Sequence, residues 1–258
     1  MKIAPVLAAS LLLALVGCGS TTTTSGNGGS SGSGPNGTGD QNQNPDQDKG
    51  LEGEGVGAAG SAPDANPEGI PYPADNIGTL SRKGTKPGNR IANFKFVGYP
   101  SANKDGGLQP ISLAQFYDPT GTKYRIIHIQ ASGVWCTACQ AETKVVVPMK
   151  AELEAKKAVW LVSLAEGPTP GVPSTQKDLD GWIKKFASPY THWLDPGNQN
   201  LGPFYDRTAL PWNANIDART MEILTAGTGA VTSPQGINQE IDEAMELAAT
   251  SKLVGTPQ

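Results

Sequence analysis

Short apolar runs and amphipathic stretches alternate along residues 69–258. Polar and apolar positions alternate over residues 91–97, which predicts an edge strand or one strand of a hairpin. Residues 124–131 (YRIIHIQA) have the composition of a central strand. Residues 159–164 (VWLVSL) form an unbroken apolar run, which is typical of a strand covered on both faces. The remaining strands are predicted at residues 191–194, 213–217 and 220–225.

Three stretches carry apolar residues at helical spacing. Residues 136–157 predict a helix that Pro148 is expected to kink, because proline cannot donate a backbone hydrogen bond. Thr175 and Asp178 form an approximate capping box for a second helix, and residues 234–248 predict a third. The order β-α-β-α-β-β-α, after an N-terminal β-hairpin extension, predicts a layered α/β domain.

The first 18 residues predict export and a lipid anchor. Lys2 precedes an apolar run over residues 3–16 that is too short to span a bilayer comfortably, as in the signal peptides of exported proteins. The run leads into LVGC, which resembles the lipobox of bacterial lipoproteins, where the signal is cut before the cysteine and the cysteine is acylated. Several acyl chains on Cys18 would hold the protein firmly to a membrane. An ordinary secretory signal with an incidental cysteine is the alternative.

Residues 19–68 differ in composition from the rest of the chain. They consist mainly of Gly, Ser, Thr, Asn, Gln, Asp and Pro and contain no aromatic residue. Such a segment buries too little apolar surface to offset its conformational entropy, so we expect a disordered segment that serves as a tether or as a plain spacer. It carries a net charge of −6, which leaves +1 for residues 69–258. A near-neutral domain lacks the basic surface of a nucleic-acid-binding protein.

The three cysteines divide into one anchor and one pair. Acylation of Cys18 leaves Cys136 and Cys139, in the motif WCTAC between a predicted strand and a predicted helix. A helix N-terminus favours the thiolate, so we expect Cys136 to be the more acidic and more exposed thiol and to attack disulfides first. Cys139 lies one turn further on and would resolve the mixed disulfide.

A Cys-x-x-Cys pair is also half of a structural zinc site, which takes four ligands from Cys and His. The other candidate ligands are His128 and His192, and both are predicted to be packed strand residues. We therefore predict no metal and no cofactor.

The motif and its surroundings resemble the thioredoxin superfamily, and within it the membrane-tethered TlpA-like oxidoreductases, which include redoxin-domain lipoproteins of bacterial envelopes. The resemblance covers about residues 79–250. It implies a thioredoxin-like fold, in which helices flank a central mixed sheet. It also implies a nucleophile at Cys136, a resolving thiol at Cys139 and a cis proline at Pro211, where a trans turn is the alternative. The resemblance rests on residues 135–139, Glu142, Asp195-Pro196, Leu210-Pro211 and Ile216-Asp217.

Glu142 follows Cys139 by three residues, so a helix places it on the same side as both sulfurs. The resemblance implies a residue that accepts the proton of Cys139 or acts on it through its electric field, and a solvated helix glutamate is the alternative. The predicted site therefore comprises Trp135, Cys136, Cys139, Glu142 and Pro211. The chain departs from the family pattern at Ala138, Gln130 and Lys144, where proline, an acidic residue and a helix-kinking proline are typical.

These features predict a thiol–disulfide oxidoreductase of the bacterial cell envelope that is lipid-anchored and faces the periplasm. We expect it to reduce disulfides of partner envelope proteins and to draw on an electron donor that the sequence does not identify. Gly19 after Cys18 slightly favours the outer membrane over the inner. Two alternatives are a thioredoxin-like module that binds a metal or a client protein, and a thiol peroxidase, which would require Thr or Ser in place of Gly133.

Overall fold

The structure is a computed structural model that describes residues 60–73 and 84–250. Its strands are β1 (Lys95–Tyr99), β2 (Gln109–Ser112), β3 (Ile126–Gly133), β4 (Ala158–Glu166), β5 (Thr191–Leu194), β6 (Trp212–Asp217) and β7 (Glu222–Thr228). They form one seven-stranded sheet with the order β2-β1-β5-β4-β3-β6-β7. β3, β4 and β5 run parallel, and the other neighbours pair antiparallel. The predicted mixed sheet with an N-terminal β-hairpin extension is confirmed.

Four α-helices accompany the sheet in the described part of the chain. They are α1 (Thr137–Val146), α2 (Lys150–Ala155), α3 (Gln176–Phe186) and α4 (Pro234–Thr250). The single helix predicted over residues 136–157 is divided by a 3-10 turn at Val147–Met149, because Pro148 lacks the N–H that would continue the helical ladder. The predicted capping box opens α3, with Thr175 and Asp178 exchanging backbone and side-chain hydrogen bonds.

The sheet buries apolar side chains on both of its faces. Successive residues of a strand point to opposite faces, so Ile126 and Ile127 belong to different clusters. All four α-helices pack on the face that carries Trp160 and Leu164. Loops and 3-10 turns cover the opposite face, where Leu201 is fully buried. The sheet is thus enclosed on both sides, and the region between β3 and α1 lies on the helical face.

The hairpin at the N-terminal side of the sheet differs from its prediction. β1 begins at Lys95 rather than at residue 91, and it lies between β2 and β5. Of the two alternatives, the strand of a hairpin is therefore the one observed, because β1 pairs antiparallel with β2, and the edge position is not. The edge is formed by β2, which has no alternating pattern long enough to predict it. Its Pro110 fits an edge strand, because proline has no N–H to donate to a further neighbour.

Residues 60–73 pack against the domain, although residues 60–68 fall within the predicted tether. Asn66 is buried, and its side-chain amide donates to the backbone oxygen of Tyr117 at 3.1 Å. Ser112 donates through its hydroxyl to the backbone oxygen of Pro63 at 2.6 Å. Hydrogen bonds of this kind stabilise the contact between the segment and the domain, although the segment has few apolar residues. Residues 60–68 therefore contact the domain through these hydrogen bonds, and the domain boundary at residue 69 stays a prediction.

The predicted signal peptide, the lipidation site Cys18 and residues 19–59 of the predicted tether lie outside the described residues. Within residues 60–73 and 84–250, no helix is long and apolar enough to cross a membrane. Export, anchoring and tethering therefore stay predictions from the sequence.

Candidate active site

The two cysteines form a disulfide at the junction of β3 and α1. β3 ends at Gly133, and Cys136 is the N-cap residue of α1. The sulfurs of Cys136 and Cys139 are 2.10 Å apart, and the Cα atoms are 5.3 Å apart. Cys136 Sγ also accepts a hydrogen bond from the backbone N–H of Cys139 at 3.0 Å. The same N–H and the positive end of the helix would stabilise a Cys136 thiolate once the disulfide is reduced.

Both cysteines are buried in this oxidised state. Cys136 is 2% exposed and Cys139 is 0% exposed. Cys136 is the more exposed of the two only by this small margin, because apolar neighbours cover the N-terminus of α1. Those neighbours include Val134 and Leu210, which pack against the cluster that contains both cysteines.

Pro211 lies beside the disulfide because of the way β6 pairs with β3. Ala131 of β3 is paired with Trp212, the first residue of β6, so the segment before β6 faces the end of β3. The Leu210–Pro211 peptide bond is cis. The carbonyl oxygen of Leu210 lies 3.5 Å from Cys136 Sγ. The domain is thioredoxin-like.

Solved structures similar to this thioredoxin-like domain are distant in sequence. A thiol:disulfide interchange protein of the thioredoxin family from Chlorobium tepidum TLS is 15% identical, with 63% of this chain and 98% of that chain covered and a TM-score of 0.45. A secreted thiol-disulfide isomerase from Corynebacterium glutamicum is 17% identical, with 62% and 87% covered and a TM-score of 0.45. Peroxidoxin BcpB from Mycobacterium tuberculosis is 10% identical, with 64% and 99% covered and a TM-score of 0.45.

No protein-family model and no curated protein matches the chain in sequence. These three solved structures have TM-scores below 0.5, and their names include an interchange protein, an isomerase and a peroxidoxin. Similarity of this degree carries no argument about activity. The geometry of the site has to distinguish between the candidate reactions.

Glu142 is fully buried, which contradicts the alternative of a solvated helix glutamate. Its carboxylate accepts hydrogen bonds from the side-chain amides of Gln130 and Asn213 at 2.8 Å and 3.0 Å, and from the backbone N–H of Val231 at 2.8 Å. Burial raises the pKa of Glu142 from 4.5 to about 7, and these donors act in the opposite direction. A carboxyl group that titrates near neutral pH is suited to accept and release a proton.

Gln130 links Glu142 to the redox pair. Its side-chain amide lies 3.4 Å from the backbone oxygen of Cys139 and 2.8 Å from the Glu142 carboxylate. The indole N–H of Trp160 donates to Gln130 Oε1 at 3.2 Å. Because an indole can only donate, this contact fixes which end of the amide faces Glu142. Gln130 therefore stands where an acidic residue is typical of the family and positions a carboxylate supplied by α1.

Trp135 is held in place by a buried carboxylate. Its indole N–H donates to Glu166 at 2.6 Å, and the same oxygen accepts the backbone N–H of Gly171 at 3.0 Å. Glu166 is the last residue of β4, and it is 6% exposed. It is not among the site residues predicted from the sequence. No local motif marks Glu166, because it meets Trp135 only through the pairing of β3 with β4.

Gly133 argues against the peroxidase alternative, which requires Thr or Ser at this position. A Cβ atom on Gly133 would lie 2.9 Å from the indole nitrogen of Trp135 and 3.3 Å from a methyl group of Leu210. A side chain there would displace two residues that border the disulfide. The local backbone is therefore built around glycine, and the requirement of the peroxidase is not met.

The two histidines are buried strand residues, as predicted. His128 hydrogen-bonds to the side-chain oxygens of Asn215 and Asn213, and His192 Nδ1 bonds to the backbone oxygen of Tyr190. Among the described residues, no three His, Cys, Asp or Glu side chains come together as a metal site would need.

Proposed function

We propose that this protein is a thiol–disulfide oxidoreductase of the bacterial cell envelope that reduces disulfides of partner proteins. The observation that carries the proposal is the Cys136–Cys139 disulfide at the N-terminus of α1. The Leu210 carbonyl at 3.5 Å supports it, because this backbone segment borders the sulfur that would meet a partner. A pair three residues apart closes too short a loop to stabilise the fold appreciably, which favours a chemical role.

The exchange proceeds in two displacements. The Cys136 thiolate attacks one sulfur of the partner disulfide, that S–S bond breaks, and the other partner sulfur leaves as a thiolate. Cys139 then gives up its proton and attacks Cys136 Sγ, which releases the second partner thiolate. Two electrons have passed to the partner, whose thiolates take up protons, and the protein is left with the Cys136–Cys139 disulfide. A thiol reductant has to return two electrons before the next cycle.

Glu142 is the group proposed to take the proton from Cys139. It lies one turn along α1 from Cys139, and Gln130 contacts both residues. A pKa of about 7 allows Glu142 to be ionised before the transfer and to release the proton to solvent afterwards. Trp135 and Pro211 are proposed to shape the surface that a partner chain contacts beside Cys136.

The proposed location is the periplasmic side of the envelope, with acylated Cys18 as the anchor and the outer membrane slightly favoured. The LVGC sequence supports the anchor. One similar protein is named as secreted. The partners are proposed to be disulfide-bearing envelope proteins, together with an electron donor that restores the dithiol.

A reductase assay tests the activity directly. With dithiothreitol as electron donor, the full-length protein is expected to accelerate reduction of the insulin interchain disulfides, and Cys136→Ser is expected to fall to the rate of dithiothreitol alone. Cys18→Ser is the matched cysteine control and should retain the wild-type rate, because Cys18 takes no part in exchange. A wild-type rate no faster than dithiothreitol alone would show that the proposed activity is wrong.

Membrane fractionation tests the anchor. In the native envelope, Cys18→Ser is expected to release the protein into the soluble fraction or to stall its processing, because the acyl chains have lost their attachment point. The measurement is the share of processed protein that sediments with membranes. A processed variant that sediments as wild type does would rule out acylation as the anchor.

A further inference from the structure

A buried chain of hydrogen bonds extends from Glu142 across β6 and β3. Asn213, on β6, donates through its side-chain amide to both carboxylate oxygens of Glu142, at 3.0 Å and 3.2 Å, and to the backbone oxygen of Gly229 at 3.0 Å. Asn213 Oδ1 faces His128 Nε2 at 3.2 Å, and His128 Nδ1 faces Asn215 Oδ1 at 2.9 Å. Asn213 and His128 are not among the residues assigned to the active site above.

The partners of Asn213 fix the orientation of its amide. Two acceptors, Glu142 and the backbone oxygen of Gly229, face one end, so the NH2 group lies there and Oδ1 faces His128. Burial lowers the pKa of His128 to about 4, so the ring is neutral at pH 7 and carries one N–H. Both ring nitrogens face an amide oxygen, and one N–H can serve only one of them. If Asn215 reverses its amide, with its oxygen toward the Thr225 hydroxyl, an N–H on Nε2 that donates to Asn213 leaves both ring nitrogens paired.

A cavity of about 210 Å³ adjoins this chain between β6, β7 and Glu240 of α4. Its lining consists of Asn213, Asn215, Thr225, Gly229, Glu240 and three further residues of β7. The cavity is polar and large enough to hold water. Asn213 therefore contacts the Glu142 carboxylate and also borders a polar cavity, whose lining does not include Glu142 itself.

We propose that Asn213 is a positioning residue that holds the Glu142 carboxylate in its ionised form, and that His128 locks Asn213 in this orientation. The inference rests on the proposed oxidoreductase function. The proton from the Cys139 thiol passes to the Glu142 carboxylate, which the contact with Asn213 keeps ionised and able to accept it. Charge-assisted donors of this kind stabilise a carboxylate more strongly than neutral hydrogen bonds do.

The titratable groups around Glu142 in the described residues agree with this assignment. Glu240 on α4 raises the Glu142 pKa through like charge, Cys139 lies on the same helix, and neutral His128 lies behind Asn213. The Gln130 amide and the Val231 N–H are the other donors to the carboxylate. Asn213 is the side chain that contacts both carboxylate oxygens, and it lowers the Glu142 pKa more than Gln130 does and less than the Val231 N–H does.

Two alanine variants on the same strand test the proposal. Asn213→Ala and Asn215→Ala remove the same side chain from buried positions two residues apart, and both positions border the cavity, but only Asn213 contacts Glu142. The pKa of Glu142 is measured in the oxidised full-length protein by carbon NMR of labelled glutamate side chains. Asn213→Ala is expected to raise it by about one unit, and Asn215→Ala is expected to leave it within a few tenths of wild type. The pH profile of insulin reduction should shift in parallel.

The outcomes separate this inference from the proposed function. Equal shifts in both variants, or no shift in Asn213→Ala, would overturn the positioning role even if exchange is intact. No exchange in wild type would overturn the proposed function, while the NMR titration would still decide whether Asn213 sets the Glu142 pKa. If Asn213→Ala fails to fold, His128→Leu gives the same test, with a smaller upward shift expected because Asn213 loses the N–H that orients it.

Discussion

As the pH falls from 7 to 4, the free energy of unfolding of the wild-type protein is expected to decrease by about 3 kcal/mol relative to that of the His192→Asn variant. His192 is 0% exposed in β5, and burial lowers its pKa from 6.5 to about 4. Its Nδ1 bonds to the backbone oxygen of Tyr190, whereas Nε2 has no hydrogen-bond partner among the described residues.

The sign follows from proton binding in the two states. Below pH 6.5 the unfolded chain protonates this histidine, whereas the folded protein keeps it neutral until about pH 4. Between pH 6.5 and about pH 4, protonation of His192 in the unfolded chain therefore favours unfolding. Below about pH 4 both states are protonated, so a further fall in pH has no effect on stability through His192. Asparagine does not titrate, so the variant does not undergo this loss, although removal of the ring lowers its stability at pH 7.

Glu142 provides a control of opposite sign. Its folded pKa of about 7 exceeds the ordinary 4.5, so its contribution to stability is present below pH 4.5 and is lost as the pH rises to 7. The free energy of unfolding of Glu142→Gln is thus expected to fall by about 3 kcal/mol relative to that of wild type as the pH decreases from 7 to 4. Over the same pH interval, His192→Asn is expected to become more stable relative to wild type. Urea unfolding of the oxidised proteins at a series of pH values measures both differences. If the free energies of unfolding of wild type and His192→Asn change with pH in parallel, burial does not hold His192 neutral.

The architecture was predictable where a local pattern repeats. The unbroken apolar run over residues 159–164 forms the core of β4, which is buried on both faces, and the capping residues before α3 are as predicted. β2 was not predictable, because four residues including Pro110 show no periodicity and depend on pairing with β1. The order of strands in the sheet likewise depends on contacts distant in sequence.

The redox pair was evident from residue spacing, but its surroundings were not. Helical periodicity places Glu142 near Cys139, yet only the packing of β6 against β3 shows that Glu142 is buried and meets Asn213. Gln130 looks like the loss of an acidic residue when the sequence is considered alone. In the folded protein it contacts the carboxylate that α1 supplies. Interactions between side chains on different strands leave no local signal in one sequence.

Cys139→Ser is expected to accumulate covalent complexes with envelope proteins, whereas Cys136→Ser is expected to accumulate about tenfold fewer. Cys136 is the N-cap residue of α1 and its sulfur accepts the N–H of Cys139, so its thiolate is the favoured nucleophile. Cys139 lies one turn inside the helix and is 0% exposed, so it meets only the mixed disulfide already formed on Cys136. Both variants lose turnover, because each lacks one of the two displacements.

Trapping in the native envelope tests the central claim most directly. Each variant is expressed at wild-type level, free thiols are blocked in acid, and complexes are separated without reductant and identified by mass spectrometry. The proposed mechanism predicts reductant-sensitive complexes in Cys139→Ser that are joined through Cys136, and it predicts that their partners contain disulfides. Equal trapping by both variants would contradict the assigned order of the two sulfurs. The absence of complexes in both variants would contradict disulfide exchange with envelope proteins as the function of the pair.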